Sequence, residues 1–353
     1  MKHKKIYIEA IRIFAIFFVI YVHTGIEAAE HYQITDNTLS YIFSLVMYSI
    51  AQISVPLFFL VSGAVLLKKE ESLRHVLLHR ALRIFLIIII FGFVEYLYFY
   101  HLNPESVFSI PVFLWTIYST TMITQYWYLY AYFALMLILP FIRMMAKSMK
   151  NSHFLYLFGL FFILEGLLPI VEYIWQNNHI VISVPLLVNS VFYPLMGYYI
   201  VHRSEEFFYK KKVLILTNIF GLCALITNTV VALMAHRQRG GAESLDGMTA
   251  MLAVVTFINF RAVFNAIAKS SFAIFHGRLA KVVSDIILFI GSGSFGVYLL
   301  EPPLRDTFKP VYTASEPYIT WFPAAALWIS AAIICGSIIF FVLKKIPLLN
   351  KIL

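Results

Sequence analysis

Residues 6–25 read IYIEAIRIFAIFFVIYVHTG, an almost uninterrupted apolar run near the start of the chain. Roughly 20 apolar residues, each rising ~1.5 Å in a helix, match the ~30 Å hydrocarbon core of a bilayer. The run also contains Glu9, Arg12 and His23. Ionisable side chains are costly inside a membrane and are retained mainly for function. The stretch therefore predicts a first transmembrane helix that carries part of a functional site.

The spacing of these polar residues places them on one side of the helix. Arg12 and His23 are eleven residues apart, about three turns, so they share a face and lie ~16 Å apart along the axis. Glu9 precedes Arg12 by one turn and can pair with it. Glu27 follows His23 by one turn and could orient the ring. The same histidine could instead form a hydrogen bond between helices, which is the ordinary role of a polar residue in a span.

Composition places the whole chain in a membrane. Of its 353 residues, 61% are hydrophobic and 13% are charged, whereas soluble proteins have about 25% charged residues. The net charge of +9 would suggest a nucleic-acid partner in a soluble protein, but loop lysines and arginines explain it better here. Cys223 and Cys335 both fall in apolar stretches, so they indicate neither a disulfide framework nor a metal site. We expect an all-α polytopic membrane bundle without bound metal or nucleic acid.

Hydropathy predicts about ten transmembrane helices in a single domain covering residues 1–353. The predicted spans are 6–25, 40–67, 81–100, 125–145, 154–174, 181–201, 213–235, 248–268, 284–304 and 321–343. One set of connecting loops and termini holds 22 lysines and arginines and the other set holds 4. The positive-inside rule then places both termini in the cytoplasm.

Three segments outside or within these spans carry more specific expectations. The loops 101–124 and 305–320 are aromatic and contain proline, which favours re-entrant or interfacial segments. Residues 262–283 could form a basic amphipathic helix on the membrane surface. The second span is long, and Pro56 could break it.

Side chains able to transfer protons fall at one depth of the predicted bundle. In the odd-numbered spans they lie in the outer half, at His23, Glu95, Glu165 and Glu301. The arginines fall near the inner face, at Arg12, Arg80 and Arg83. Each group also has an ordinary interpretation, as a positive-inside residue or as an internal hydrogen-bond partner. The aromatic run 126–132 favours an interfacial belt over a binding surface.

Five blocks of sequence occur in an order that is known from one enzyme family. The first span has an acidic residue, two others, arginine, ten others and histidine, at Glu9, Arg12 and His23. The remaining blocks are SVPLFFLVSGAVLL (54–67), HRALR (79–83), WYLYAYFALMLILPFIR (127–143) and SFGVYLLEPPL (294–304). Together they resemble the ten-span membrane acyltransferases of acyltransferase family 3, in the short branch that includes sugar and exopolysaccharide O-acetyltransferases.

The resemblance implies transfer of an acyl group from acyl-CoA, most simply acetyl-CoA, to a hydroxyl of a glycan or lipid-linked sugar. It implies a multi-pass enzyme of the bacterial plasma membrane, as a monomer or a homodimer. His23 would be the catalytic base or the acyl carrier, with Glu27, Glu95 or Glu301 holding its tautomer. The donor phosphates would be held by Arg12 (with its partner Glu9), Arg80 and Arg83, since arginine binds phosphate in a bidentate manner.

Three departures from the family pattern narrow this interpretation. The last block often has histidine where this chain has Glu301, and the tryptophan-containing block of peptidoglycan-type members is absent. Because of Glu301, a second histidine cannot be assumed. The missing tryptophan-containing block and the missing extracytoplasmic hydrolase-like domain of some members argue against a two-domain enzyme that acylates peptidoglycan and leave the acceptor open. Competing hypotheses are a transporter or flippase for a polysaccharide or lipid-linked sugar, which would use polar groups along its path, and a membrane sensor or scaffold.

The charge distribution generates a topology prediction. The loop 236–247 should be outside the cell, so a Ser244→Cys variant lacking Cys223 and Cys335 should react with a membrane-impermeant thiol reagent in intact cells. Labelling only after permeabilisation would contradict the predicted orientation.

Overall fold

The computed structural model describes residues 6–102, 109–119, 124–175, 182, 184–269 and 277–353. Within these residues the chain is almost entirely helical and contains no strand, which confirms the all-α prediction. The helices of eight residues or more are α1 (Ile6–Val22), α2 (Thr38–Ala51), α3 (Ser54–Leu66), α4 (Leu73–Leu102), α5 (Ile110–Ser119), α6 (Trp127–Ser148), α7 (Asn151–Phe162), α8 (Leu168–Trp175), α9 (Asn189–His202), α10 (Lys211–Arg239), α11 (Asp246–Lys269), α12 (Arg278–Leu299), α13 (Glu301–Ile319) and α14 (Trp321–Leu343).

Eight helical stretches in the described part of the chain are long and apolar enough to cross a membrane. They are Thr38–Leu66, Leu73–Leu102, Trp127–Ser148, Asn151–Val171, Lys211–Arg239, Asp246–Ala268, Arg278–Leu299 and Trp321–Leu343. The predicted spans 6–25 and 181–201 correspond to α1 and α9, which have only 17 and 14 residues. The count of ten and the cytoplasmic location of both termini therefore stay predictions.

The short helices α1 and α9 lie inside the bundle. Every residue of α9 from Ser190 to Val201 is buried, and α1 buries eleven of its residues. A helix that is apolar on all sides is stable only when protein or lipid surrounds it on all sides. Glu9 of the predicted site is thus buried in the interior of the protein, and Arg12 one turn later is partly buried.

The break in the second predicted span lies just before Pro56. Residues 52 and 53 form a turn between α2 and α3, and Pro56 is the third residue of α3. Proline has no N–H to donate to the carbonyl four residues earlier, and its ring collides with that carbonyl. The interruption therefore falls at Gln52, four residues before the proline.

The ninth predicted span, 284–304, ends earlier than expected. Helix α12 ends at Leu299, and Glu301 begins a separate helix, α13. Pro302 and Pro303 cannot continue a helix but fit well in the first turn of a new one. The segment 305–320, predicted as a re-entrant or interfacial loop, is part of α13 and packs along α14, where the indole N–H of Trp328 donates to the Arg305 carbonyl at 2.7 Å.

Two other predicted segments, the loop 101–124 and the surface helix 262–283, lie only partly within the described residues. In the segment 101–124, residues 110–119 form α5, and residues 103–108 and 120–123 lie outside the described residues. The predicted surface helix 262–283 is not a separate element. Its first residues continue α11 to Lys269, its last residues begin α12 at Arg278, and residues 270–276 lie outside the described part.

Helices α3 and α9 cross at a contact between backbones. A Cβ on Gly63 would lie 1.9 Å from the Pro194 carbonyl oxygen, and a Cβ on Gly197 would lie 1.9 Å from the Leu60 carbonyl oxygen. Small residues at such crossings allow membrane helices to approach closely. Because both helices contribute a glycine, neither can accept a side chain at this point.

We therefore expect Gly197→Ala to lower the free energy of unfolding by at least about 1–3 kcal/mol, the cost of overpacking a core. The melting temperature of the purified protein should fall sharply as a result. The matched control is Gly159→Ala, because a Cβ there would have no neighbour within 4 Å. Equal melting temperatures for the two variants in detergent would show that the crossing tolerates a side chain.

Candidate active site

Two of the cavities in the described part of the bundle are lined by residues predicted from the sequence. The first, which we call the arginine cavity, has a volume of about 260 Å³ and is lined by Arg12 of α1 together with Arg80 and Arg83 of α4. His79 and Lys344 also line it. The structure thus brings the three predicted arginines into one cavity, although α1 and α4 are far apart in sequence.

Arg12 is held by the residue one turn before it. Its Nη1 donates to both carboxylate oxygens of Glu9, at 3.0 and 3.1 Å, which confirms the predicted pair. The Glu9 side chain is almost fully buried, whereas the Arg12 side chain is 30% exposed. Glu9 lies directly against Gly291 of α12, since a Cβ added at Gly291 would lie 2.5 Å from the Cβ of Glu9. The contact fixes the carboxylate, which in turn directs the guanidinium.

Arg80 belongs to an ion cluster that the sequence analysis missed. Its Nε and Nη2 donate to the two carboxylate oxygens of Glu71, at 2.6 and 2.5 Å. Arg143 of α6 donates to Glu71 at 2.8 Å and to the Leu66 carbonyl at 3.1 Å. The hydrogen bonds from Arg80 and Arg143 lower the pKa of Glu71 to about 2, against the opposing effect of its partial burial. Glu71 therefore stays ionised at physiological pH and joins α4 to α6.

Arg83 contacts the last described residues of the chain. Its Nε donates to the Ile352 carbonyl at 2.6 Å, and its Nη2 donates to Leu353. Leu353 itself lines the arginine cavity. Arg83 is thus part of the cavity wall, and its guanidinium is engaged by backbone carbonyls.

The second cavity, the histidine cavity, has a volume of about 240 Å³ and contains His23. Its other lining residues are mainly polar or aromatic. They include Gln52, Ser54, Gln125, Trp127, Asn189, Tyr193, Ser244, Asp246 and Thr249. Such a lining can donate to and accept from the hydroxyls of a ligand while offering flat apolar surfaces to its rings.

The turn after α1 fixes His23 at the end of the helix. Gly25 adopts a φ of +65°, which a residue without a side chain can do readily. The Thr24 hydroxyl donates to the Tyr21 carbonyl at 2.6 Å and accepts from the Ala29 N–H at 3.1 Å. The Tyr21 hydroxyl donates to the Ala28 carbonyl at 3.0 Å. These bonds reverse the chain directly after His23 and keep the ring at the cavity.

Glu301 is the carboxylate that lies beside the His23 ring. Its Oε2 lies 3.5 Å from His23 Nδ1, and its Oε1 accepts from Arg305 Nη1 at 3.0 Å. Arg305 also contacts Asp306, which accepts from the Tyr98 hydroxyl at 3.0 Å. Nδ1 is buried while the His23 side chain is 22% exposed. The Nε2 edge of the ring is therefore the edge open to the cavity.

The other predicted acidic residues do not reach His23. Glu95 is fully buried and interacts electrostatically with Glu301, Arg305 and Asp306. Glu27 forms an ion pair with Lys309 of α13. Glu165 lies in a π-helical turn, Ile163–Leu167, between α7 and α8. Of the three residues expected to hold the His23 tautomer, Glu301 is the one beside the ring, where its Oε2 and His23 Nδ1 are in electrostatic contact at 3.5 Å without a hydrogen bond.

Two tyrosines line both cavities. Tyr128 of α6 and Tyr298 of α12 pack edge to face, with ring centroids 5.6 Å apart. The Tyr298 hydroxyl donates to the Gln125 carbonyl at 2.7 Å. Tyr128 belongs to the aromatic run that the sequence analysis assigned to an interfacial belt. That assignment is wrong for Tyr128, which is buried and forms part of the wall between the cavities.

Some of the missed residues carried a signal in the sequence. Arg305 follows Glu301 by one helical turn, a spacing at which opposite charges pair, but the segment was predicted as a loop. Glu71 lies in a charged stretch between two spans, and nothing in its local sequence indicates a contact with Arg143. Among the described residues, no three His, Cys, Asp or Glu side chains are grouped as metal ligands.

Comparison with known protein families gives a match over nearly the whole chain. The family model of acyltransferase family 3, described as an acyltransferase domain, matches residues 5–343. Neither the curated proteins nor the solved structures compared with the chain include a match.

The ion cluster generates a stability prediction based on two adjacent glutamates. Glu71→Ala should destabilise the protein by on the order of 3 kcal/mol, because Arg143 is buried and would lose its counter-charge. Glu70→Ala is the matched control, since Glu70 is 82% exposed and its pair with Lys147 lies at the surface. Melting temperatures of both variants in the same detergent test this, and an equal loss would contradict a structural role for the cluster.

Proposed function

Since this chain belongs to acyltransferase family 3, and is by family and by its apolar helices a multi-pass membrane acyltransferase, we propose that it is an O-acyltransferase. It moves an acyl group, in the simplest case acetyl, from cytoplasmic acyl-CoA to a hydroxyl of an extracytoplasmic or lipid-linked glycan. The enzyme acts in the bacterial plasma membrane. The observation that supports the proposal is the pair of cavities that share Tyr128 and Tyr298, one lined by three arginines and one lined by His23, whose ring lies beside Glu301.

The arginine cavity has the chemistry required to bind the phosphates of coenzyme A. A guanidinium has five N–H donors, and the bonds of Arg12 to Glu9 use only its Nη1. Arg80 uses Nε and Nη2 on Glu71, so its Nη1 remains. Lys344 adds charge to the same wall. Glu9 and Glu71 hold the guanidinium groups in place, which reduces the entropy lost when a phosphate binds.

The length of α1 fits the distance that the donor must cover. The helix is continuous from Arg12 to Val22, a rise of about 15 Å at ~1.5 Å per residue. An extended pantetheine arm is of similar length. A donor with its phosphates at Arg12 would thus place its thioester near Tyr128 and Tyr298, where the two cavities meet.

His23 supplies the proton chemistry. Its Nε2 takes the proton from the acceptor hydroxyl, the oxygen attacks the thioester carbonyl carbon, and the carbon–sulfur bond breaks. The thiolate of coenzyme A then receives the proton from the imidazolium. Shortening of the 3.5 Å contact during the reaction would let Glu301 accept from Nδ1, which leaves Nε2 unprotonated beforehand and stabilises the positive ring after proton transfer. Transient acylation of the same nitrogen would use the same geometry.

Two substitutions, one on α1 and one directly after it, should separate donor binding from chemistry. Arg12→Ala should weaken coenzyme A binding by about 10- to 100-fold, the effect of losing one charged contact, and Arg12→Lys should recover little of it. His23→Gln should bind coenzyme A normally, but its turnover rate should fall by about 10²–10⁴-fold, the typical effect of removing a general base. Binding is measured by calorimetry on purified protein, and turnover by release of the free thiol from acetyl-CoA.

Arg74→Ala is the matched control for Arg12, because Arg74 is exposed and does not line the arginine cavity. It should leave both measurements unchanged. A His23→Gln protein with full turnover and a lowered melting temperature would mean that the histidine only joins helices. A wild-type protein that neither binds coenzyme A nor turns over acetyl-CoA would favour a transporter or flippase.

A further inference from the structure

Asp246 is a carboxylate of the histidine cavity to which the mechanism assigns no role. It is the first residue of α11, and its side chain is accessible in the wall that also contains His23, Asn189 and Tyr193. No hydrogen bond or ion pair to it occurs among the described residues. A carboxylate beside the proposed base is thus available to a ligand.

The start of α11 is built so that Asp246 cannot shift easily. Asn228 of α10 is fully buried, accepts from the Leu245 N–H at 3.0 Å and donates to the Thr249 hydroxyl at 3.1 Å. On the other side, a Cβ on Gly247 would lie 2.5 Å from the Gly166 backbone. The residues before and after Asp246 are therefore fixed by α10 and by the π-helical turn after α7.

The two cavities differ in the sign of their charge. The arginine cavity is lined by Arg12, Arg80, Arg83 and Lys344. Among the described residues that line the histidine cavity, Asp246 is the carboxylate and no lysine or arginine occurs. Because like charges repel at short range, the histidine cavity should disfavour a ligand that carries a carboxylate or phosphate. The same cavity has amide and hydroxyl side chains suited to neutral hydroxyl groups.

We propose that Asp246 is an acceptor-binding residue that selects an uncharged sugar over an anionic one. The two carboxylate oxygens accept hydrogen bonds from two adjacent hydroxyls of the sugar, which presents a third hydroxyl to His23. The aromatic rings of Trp127 and Tyr193 supply apolar surface for the ring of the sugar. This inference rests on the proposed function, and it names the substrate class of the same site.

An acidic residue in the first turn of a helix also stabilises the helix, so a purely structural role must be tested separately. Asp246→Asn retains a residue that is well suited to the start of a helix and removes the charge. If the role of Asp246 is structural, the substitution changes melting temperature and all activities together. If it binds the acceptor, the substitution changes the KM for the acceptor alone.

The experiment uses the full-length protein in detergent with acetyl-CoA and two probe acceptors, p-nitrophenyl glucoside and p-nitrophenyl glucuronide, which differ at C6, a hydroxymethyl group in the first and a carboxylate in the second. Wild-type protein should acetylate the glucoside at least tenfold more efficiently. Asp246→Asn should raise the KM for the glucoside about 10- to 100-fold, the effect of losing hydrogen bonds to a charged group, and should reduce the preference between the probes. Affinity for coenzyme A and melting temperature should not change.

Glu243→Gln is the matched control. Glu243 lies in the loop before α11, pairs with Arg239 at the end of α10, and does not line the histidine cavity. It should behave as wild type. Equal use of both probes by wild-type protein, an Asp246→Asn variant with unchanged KM and preference, or intact acetyl-CoA turnover with no transfer to the glucoside would each overturn the proposal. Loss of coenzyme A binding and of turnover in the wild type would instead contradict the proposed function.

Discussion

The crossing of α3 and α9 determines where both cavities can lie. Gly63 and Gly197 allow the two backbones to touch, and α9 is buried along almost its entire length. Helix α3 is thereby fixed in the interior, and it lines both cavities together with α1, α6 and α12. Its first turn, with Ser54 and Pro56, faces the histidine cavity, and its next turns, with Phe58 and Ser62, face the arginine cavity.

Three sets of charged side chains inside the bundle are stabilised by opposite charges. Glu9 holds Arg12, Glu71 holds Arg80 and Arg143, and Arg305 holds Glu301. Leaving any of these charges alone in a low-dielectric interior would be strongly destabilising. The pairs therefore have two effects, since they make the buried charges tolerable and they direct the remaining N–H groups or carboxylate oxygens towards a cavity.

The His23–Glu301 contact depends on the end of one helix and the start of the next, which the two prolines after Glu301 impose. Because α12 stops at Leu299 and Pro302 and Pro303 start a new helix, Glu301 lies at a corner instead of along a continuing span. That corner meets the turn after α1, where the Tyr312 hydroxyl of α13 donates to the Glu27 carbonyl at 2.9 Å. A continuous helix through residue 304 would point Glu301 along the path of α12, away from the end of α1.

The sequence alone was sufficient for properties that depend on composition and on short spacings. The membrane class follows from the apolar content, the Glu9–Arg12 pair from their spacing of three residues, and the family from five blocks in order. The position of the break before Pro56 follows from the missing N–H of proline. Only the tertiary structure decided that Glu301, and not Glu27 or Glu95, lies beside His23, that Arg80 shares Glu71 with Arg143, and that Tyr128 separates two cavities. These contacts join segments as far apart in the sequence as residues 23 and 301. Hydrophobic periodicity specifies which face of a helix is buried, but it does not specify which helix covers that face.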